Sequence, residues 1–230
     1  TTYRLTYNAN GGNESQIPTD DTAYTKNAKA TLNYDTKPTH DQENGKDVVF
    51  IGWSETDDSG KIYNKGNTIP TLIQSVTMDS DKTVYAVWGL DENGNGIPDV
   101  FEATVTYKIE HGTWADDSTE KTEVIQVKKL ENGVWTDTGN KLTKVPSTEA
   151  SAVRPSSGFT TNGAWSNPAP TDNPVVKSDT IYIYTLEAEP PAPTYTLTYD
   201  ANGGYFGSDT TVESKAEQIA SAGDHALNYT

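Results

Sequence analysis

The chain of 230 residues carries 17 Lys and Arg against 33 Asp and Glu, a formal net charge of −16, and is 33% hydrophobic. Such a negative field repels nucleic acid and anionic membranes, so we expect neither as a partner. The absence of cysteine excludes disulfides and thiolate chemistry, and no apolar run approaches the roughly 18 residues of a membrane-spanning helix.

The first predicted element is a strand at residues 3–7, where large and polar residues alternate, followed by a turn at residues 8–12. The same sequence returns at residues 195–204, with Thr196 in place of Arg4 and Asp200 in place of Asn8. An internal repeat of this kind predicts an array of modules. The chain opens in mid-pattern and without Met, which predicts a piece of a longer protein.

The first copy continues to the corner Phe50-Ile51-Gly52-Trp53 and closes with the strand at residues 83–88. A strand ending in Asn-Gly-Gly, then Phe-x-Gly-Trp and a closing Val-Tyr-Ala-x-Trp, resembles the Listeria-Bacteroides repeat, also called the internalin B-repeat. The resemblance covers residues 3–88 and implies a small β-grasp-like unit, used in tandem as a spacer or adhesive module in bacterial surface proteins. We therefore expect a module at residues 1–89, with Trp53 and Trp88 packed in its core or between modules rather than on a ligand.

A calcium loop is predicted in the linker at residues 90–102. Counted from Asp91, a twelve-residue loop has Gly96 at the sixth place, where the chain turns sharply. The pattern resembles the DxNxNGIPDxxE segments that join modules in bacterial surface proteins, similar to thrombospondin type 3 units. An acidic, Gly-rich turn is the alternative. With three carboxylates and two neutral amides we expect a dissociation constant of about 10⁻⁴ to 10⁻³ M. The predicted calcium ligands are Asp91, Asn93, Asn95, the backbone carbonyl of Ile97, Asp99 and Glu102.

A second β-rich module is predicted at residues 103–187. It starts with a strand at 104–109, has a hairpin at 123–135 around Asn132-Gly133, and closes with a strand at 180–185. Its wording resembles another repeat of Firmicute surface proteins. Trp114, Trp135 and Trp165 lie beside predicted turns, where exposed rings can bind a sugar or a protein partner. The alternative is that Trp114 and Trp165 close the ends of the core.

A proline-rich linker at residues 188–193 is predicted to be extended. The further repeat at residues 194–230 lacks counterparts of the Phe-x-Gly-Trp corner and of the closing strand. We expect this segment to be partly disordered, cut from a longer array, or completed by strands of another chain.

The sequence gives no indication of an enzyme. His40, His111 and His225 lie in different modules and are not accompanied by a nucleophile or by a zinc-binding pair. We therefore expect a mainly β chain of tandem small β-grasp-like modules joined by a calcium-binding loop. The predicted function is a calcium-stiffened stalk or adhesin segment, non-enzymatic and extracellular, whose partners are neighbouring repeats and a host protein or glycan. The alternative is a carbohydrate- or protein-binding accessory module of a secreted protein or enzyme.

Overall fold

The computed structural model describes residues 1–131, 134–205 and 214–219. These residues form strands, turns and short 3-10 helices, so the prediction of a mainly β chain is confirmed. Within them, no helix has the length and apolar character needed to cross a membrane. The predicted turn at Asn132-Gly133 and the third histidine, His225, lie outside the described residues.

The first module is built around one long strand, β8, at the centre of its sheet. Strand β2 pairs with β8 in parallel, β5 pairs with it antiparallel, and β6 adds a short parallel pairing. Two ribbons, β1 with β3 and β4 with β7, complete the module. Its strands are β1 (Thr2–Tyr3), β2 (Leu5–Asn8), β3 (Tyr24–Thr25), β4 (Ala28–Thr31), β5 (Asp47–Ser54), β6 (Ile62–Tyr63), β7 (Ser75–Met78) and β8 (Lys82–Asp91), with a 3-10 helix at Glu14–Gln16.

Two tryptophans fill the core of the first module. Trp53 and Trp88 are both 0% exposed. Each indole N–H is satisfied internally, Trp53 Nε1 by the Asn33 carbonyl at 2.8 Å and Trp88 Nε1 by the Ala9 carbonyl at 2.9 Å. Their predicted packing role is therefore confirmed, because a ligand has no access to either ring.

The second module has a four-stranded sheet in the order β11, β9, β16, β15. Strands β9 and β16 are parallel, while β11 and β15 are antiparallel to their neighbours. Its strands are β9 (Glu102–Glu110), β10 (Gly112–Trp114), β11 (Glu120–Gln126), β12 (Lys128–Glu131), β13 (Val134–Asp137), β14 (Val153–Pro155), β15 (Phe159–Trp165) and β16 (Thr180–Ala188), with 3-10 helices at Asp99–Phe101, Ala150–Ala152 and Pro170–Asp172.

The two modules share one plan. In each, the opening strand (β2 or β9) lies parallel to the closing strand (β8 or β16), and the strand with the Gly-Trp corner (β5 or β15) pairs antiparallel to the closing strand. Both corner strands shift register beside the glycine, at Gly52 and at Gly163. A Cβ at Gly163 would lie 2.5 Å from the Thr185 carbonyl oxygen, so a side chain there would push the two strands apart.

The repeated sequence after the proline-rich linker forms a different pairing. Strand β17 (Tyr195–Asp200) runs antiparallel to β18 (Ser214–Ile219). Leu5 and Tyr7 of β2 are 3% and 6% exposed, whereas their counterparts Leu197 and Tyr199 are only half-buried. What completes this further repeat stays a prediction, since residues 206–213 and 220–230 lie outside the described part.

A buried carboxylate links two parts of the second module. Glu123 is 4% exposed and accepts hydrogen bonds from the Tyr107 hydroxyl and from Thr143, whose Oγ1 lies at 2.8 Å and whose backbone N lies at 3.1 Å. Burial alone would raise the pKa of the Glu123 carboxyl, but these hydrogen bonds favour the charged form and leave the pKa lowered. Burial, and after it the hydrogen bond to Glu123, raises the pKa of the Tyr107 hydroxyl.

Replacement of Glu123 by Gln is expected to lower the free energy of unfolding at pH 7 by about 1–3 kcal/mol, because a neutral amide accepts fewer of these hydrogen bonds. Urea unfolding measures the loss. Glu120→Gln is the matched control, since Glu120 lies on the same strand and its ion pair with Lys108 is exposed.

The difference between wild type and Glu123→Gln should shrink with acid. A lowered pKa gives stability that is complete above the unfolded pKa, about 4.3 for Glu, and is lost as the pH falls through the folded pKa. An equal difference at pH 7 and at pH 3 would contradict this assignment.

Candidate metal centre

The predicted calcium loop connects the two sheets directly. Asp91 is the last residue of β8 and Glu102 is the first residue of β9. The 3-10 helix Asp99–Phe101 forms one helical turn within the last part of the loop. Strand β8 therefore runs two residues past the predicted module end at residue 89, so that the central strand of the first module places the first predicted ligand.

The Asp91 carboxylate holds the loop in shape. It is 1% exposed and accepts backbone N–H groups from Gly94 at 2.8 Å and Gly96 at 2.7 Å. A third N–H, from Asn95, reaches it at 3.2 Å. Gly96 has a φ of +81°, a left-handed conformation that favours glycine, which explains the residue at the sixth place.

The two asparagines bring the start and the end of the loop together. The Oδ1 atoms of Asn93 and Asn95 accept the N–H groups of Asn95 at 3.0 Å and of Ile97 at 2.8 Å. Their side-chain amides donate to the two carboxylate oxygens of Glu102, at 2.9 Å and 2.5 Å. The third, fifth and twelfth places therefore meet, as a twelve-residue ion-binding loop requires.

Three carboxylates are buried in and around this loop. Asp99 is 8% and Glu102 is 7% exposed. Burial raises the pKa of Asp99, and the charges of Glu92 and Asp91 add to that effect. Burial also raises the pKa of Glu102 and outweighs the hydrogen bonds from the two asparagines. Among the described residues, no Lys or Arg forms an ion pair with Asp91, Asp99 or Glu102.

The chemistry of this donor set suits a hard cation, because every side-chain donor is an oxygen and three of the donors carry charge. The arrangement in this structure is not a finished coordination sphere. In the described part of the chain, no three His, Asp or Glu side chains converge closely enough to hold a metal ion. A cation would have to displace the amide groups of Asn93 and Asn95 from Glu102, so calcium binding stays a prediction.

The tryptophans considered for ligand binding lie in the core of the second module. Trp114 is 2% exposed, and Trp165 packs as a half-buried ring on the same cluster. Neither indole N–H has a hydrogen-bond partner among the described residues. This placement favours the alternative that both rings close the ends of the core, and ligand binding by them stays untested.

The histidines within the described residues pack against aromatic rings. The His40 ring lies 5.0 Å from the Trp88 ring, and the His111 ring stacks on Phe159 at 4.1 Å. The two are in separate modules, so the structure does not assemble them into one site.

Sequence reasoning missed the contacts that join the modules outside the loop. Lys65 of the first module donates to Thr104 Oγ1 at 2.6 Å and pairs with Asp179 at 2.9 Å. Trp135 of the second module donates through Nε1 to the Ile51 carbonyl at 2.6 Å. Nothing in the local sequence pattern signals these pairs, because each joins residues from two different modules.

A hollow of about 520 Å³ lies beside the loop at this junction. Its walls come from the first module, from the loop and from the β12–β13 hairpin. The residues that line it include His40, Asp47, Phe50, Pro98, Leu130 and Trp135. Apolar rings and acidic groups meet here, but no chemistry of the site singles out a ligand.

Comparison with known proteins gives little support for any assignment. No family model and no curated protein matches the sequence. Among solved structures, the chain is similar to "Streptococcal High Identity Repeats in Tandem (SHIRT) domains 3-4 from cell surface protein", with 14% sequence identity over 82% of this chain and 97% of that one. The TM-score is 0.23, too low for a shared fold, and no conclusion about this chain rests on the match.

Replacement of Asp91 by Ala is expected to destabilise the loop even without metal, by about 2 kcal/mol or more, because buried N–H groups lose their charged acceptor. Thermal unfolding in chelator measures this loss. Glu92→Gln is the control, since Glu92 is the exposed neighbour of Asp91. Equal stability of the Ala variant and the wild type would show that Asp91 does not organise the loop.

Proposed function

We propose that this chain is a non-enzymatic repeat region of a secreted or wall-attached bacterial surface protein, in which calcium stiffens the junction between two β modules. Its role is mechanical: the array acts as a stalk, or it adheres to a host protein or glycan. The single observation that carries the proposal is the position of the loop. Asp91 ends the central strand of the first sheet, and Glu102 begins β9, an inner strand of the second sheet. A cation bound to both residues would therefore hold the two sheets together.

Electrostatics supports a cation at this place. The loop buries carboxylates that repel one another, and the charge of Lys65 offsets only part of this at Asp99. Within the described residues, none of these carboxylates forms an ion pair with Lys or Arg. An extracellular setting supplies calcium at about the millimolar level that such modules require. Calcium would lower the repulsion, and at that level it would contribute about 1 kcal/mol to stability.

Tandem architecture supports a spacer. The two modules share one strand plan, and the opening sequence occurs again at residues 195–204. The resemblance of residues 3–88 to the Listeria-Bacteroides repeat adds the expectation of a bacterial surface protein. Repeats whose neighbours are fixed in orientation form an extended rod, which is the shape that a stalk needs.

Isothermal titration calorimetry should detect one calcium ion per chain, with a dissociation constant of about 10⁻⁴ to 10⁻³ M. Glu102→Gln should abolish the measurable heat, because it replaces the charged closing ligand. Glu120→Gln, which alters an exposed carboxylate outside the loop, should bind as the wild type does. A flat titration of the wild-type chain would refute the calcium site.

Small-angle X-ray scattering of the full chain tests the mechanical role. In millimolar calcium we expect an extended particle with little internal flexibility, and in chelator a more flexible one. Scattering that is the same in both conditions, from a chain shown by calorimetry to bind calcium, would separate calcium binding from stiffening and would refute the latter.

A further inference from the structure

We propose that the β12–β13 hairpin of the second module is a latch, which fixes the orientation of the two modules by seating Trp135 against the edge of β5. The inference concerns the same junction as the proposed function, but it does not require a bound ion. The surface involved is defined by Ile51 and Phe101, and its partner is the hairpin of the following module.

Trp135 is held by one hydrogen bond and one ring contact. Its Nε1 donates to the Ile51 carbonyl at 2.6 Å, and Ile51 itself is 0% exposed in strand β5. The indole ring lies 4.2 Å from the ring of Phe101, with 32° between the planes. One polar and one aromatic contact thus fix both the position and the tilt of the indole.

Phe101, which lies just before β9, packs its ring into the core of the first module. Phe101 is 6% exposed and clusters with buried Ile51, Tyr63 and Val87. Trp135 packs on this cluster as a half-buried member. An aromatic side chain of the hairpin therefore covers a core that is built by the other module.

A backbone contact joins Phe101 to the base of the hairpin. The Val127 N–H donates to the Phe101 carbonyl at 2.9 Å, and the Thr138 N–H donates to the Val127 carbonyl at 3.0 Å. Phe101 thus holds the hairpin through its backbone at the base and through its ring farther along. Strands β12 and β13 pair with each other, so the hairpin extends from the second sheet as a separate arm.

The polar contact of Lys65 between the modules is weaker. Lys65 reaches Asp179 and Thr104, but the side chain of Asp179 is 59% exposed, and an ion pair of that exposure contributes little to stability. The loop is a single covalent connection and permits rotation wherever its ligands are not held. Trp135, in contrast, restricts rotation through buried apolar surface.

The test measures nuclear magnetic relaxation of backbone amides in the full chain, which gives a rotational correlation time for each module. Wild type, Trp135→Ala, Trp135→Phe and the control Val134→Ala are compared, each in chelator and in millimolar calcium. Val134 is the neighbouring hairpin residue and is 42% exposed. Trp135→Phe keeps an aromatic ring but removes the N–H donor.

In the wild type and in Val134→Ala we expect the amides of β5 and of β16 to share one correlation time in calcium. In chelator, where no ion can connect the two sheets, both times should be shorter and further apart in Trp135→Ala than in the wild type, and Trp135→Phe should fall between. If Trp135→Ala and the wild type give the same correlation times in chelator, the hairpin is not the latch and the proposal is wrong.

Two other results of this experiment can also be interpreted. Should Trp135→Ala unfold the second module, seen as loss of dispersed signals from β9 and β16, the comparison of Trp135→Phe with the wild type decides in its place. A chain that gives no heat with calcium but whose modules separate in Trp135→Ala would support the latch while it refutes the calcium-binding junction.

Discussion

The buried carboxylate of Asp91 is the interaction on which the junction depends. It lies at the end of the central strand β8, whose position is set by pairing with β2, β5 and β6. From there it collects N–H groups from Gly94, Asn95 and Gly96. Removal of this acceptor would leave buried donors without a partner and free the loop from the first sheet. The start of the second module is therefore placed by a charge that belongs to the first.

The loop could be predicted because its information is local. Its side-chain oxygens and its two turn glycines lie within twelve consecutive residues, and the structure brings the predicted third, fifth and twelfth places into contact. The first strand, expected as one element at residues 3–7, was predicted less accurately. It is divided at Arg4, whose N–H donates to Asp81 and whose carbonyl accepts from Lys82. These partners are far along the chain, and alternation of residue types carries no information about them.

The contacts between the modules were even harder to predict from local sequence. Trp135 and Ile51 are 84 residues apart, and neither belongs to a motif that names the other. The repeated sequence is a second example, since residues 5–8 and their counterparts 197–200 have nearly the same sequence but pair in parallel in one case and antiparallel in the other. Period and turn chemistry specify that a strand forms, whereas the available neighbour decides how it pairs. This is why strands could be predicted from the sequence, whereas their pairing and the contacts between modules could not.

The junction combines two kinds of contact that respond differently to the surroundings. In a chain of net charge −16, buried loop carboxylates repel one another, so the electrostatic part of the junction weakens whenever no cation is present. Trp135 on Phe101 is an apolar contact and is insensitive to salt and to calcium at the level of the contact itself. The two are nevertheless connected, because Phe101 lies between Asp99 and Glu102. An ion that orders the loop also orders the ring on which the hairpin rests, and by reciprocity a seated hairpin favours the ordered loop. If the proposed calcium site and latch both hold, the junction would stay closed in dilute calcium and become stiffer as calcium rises.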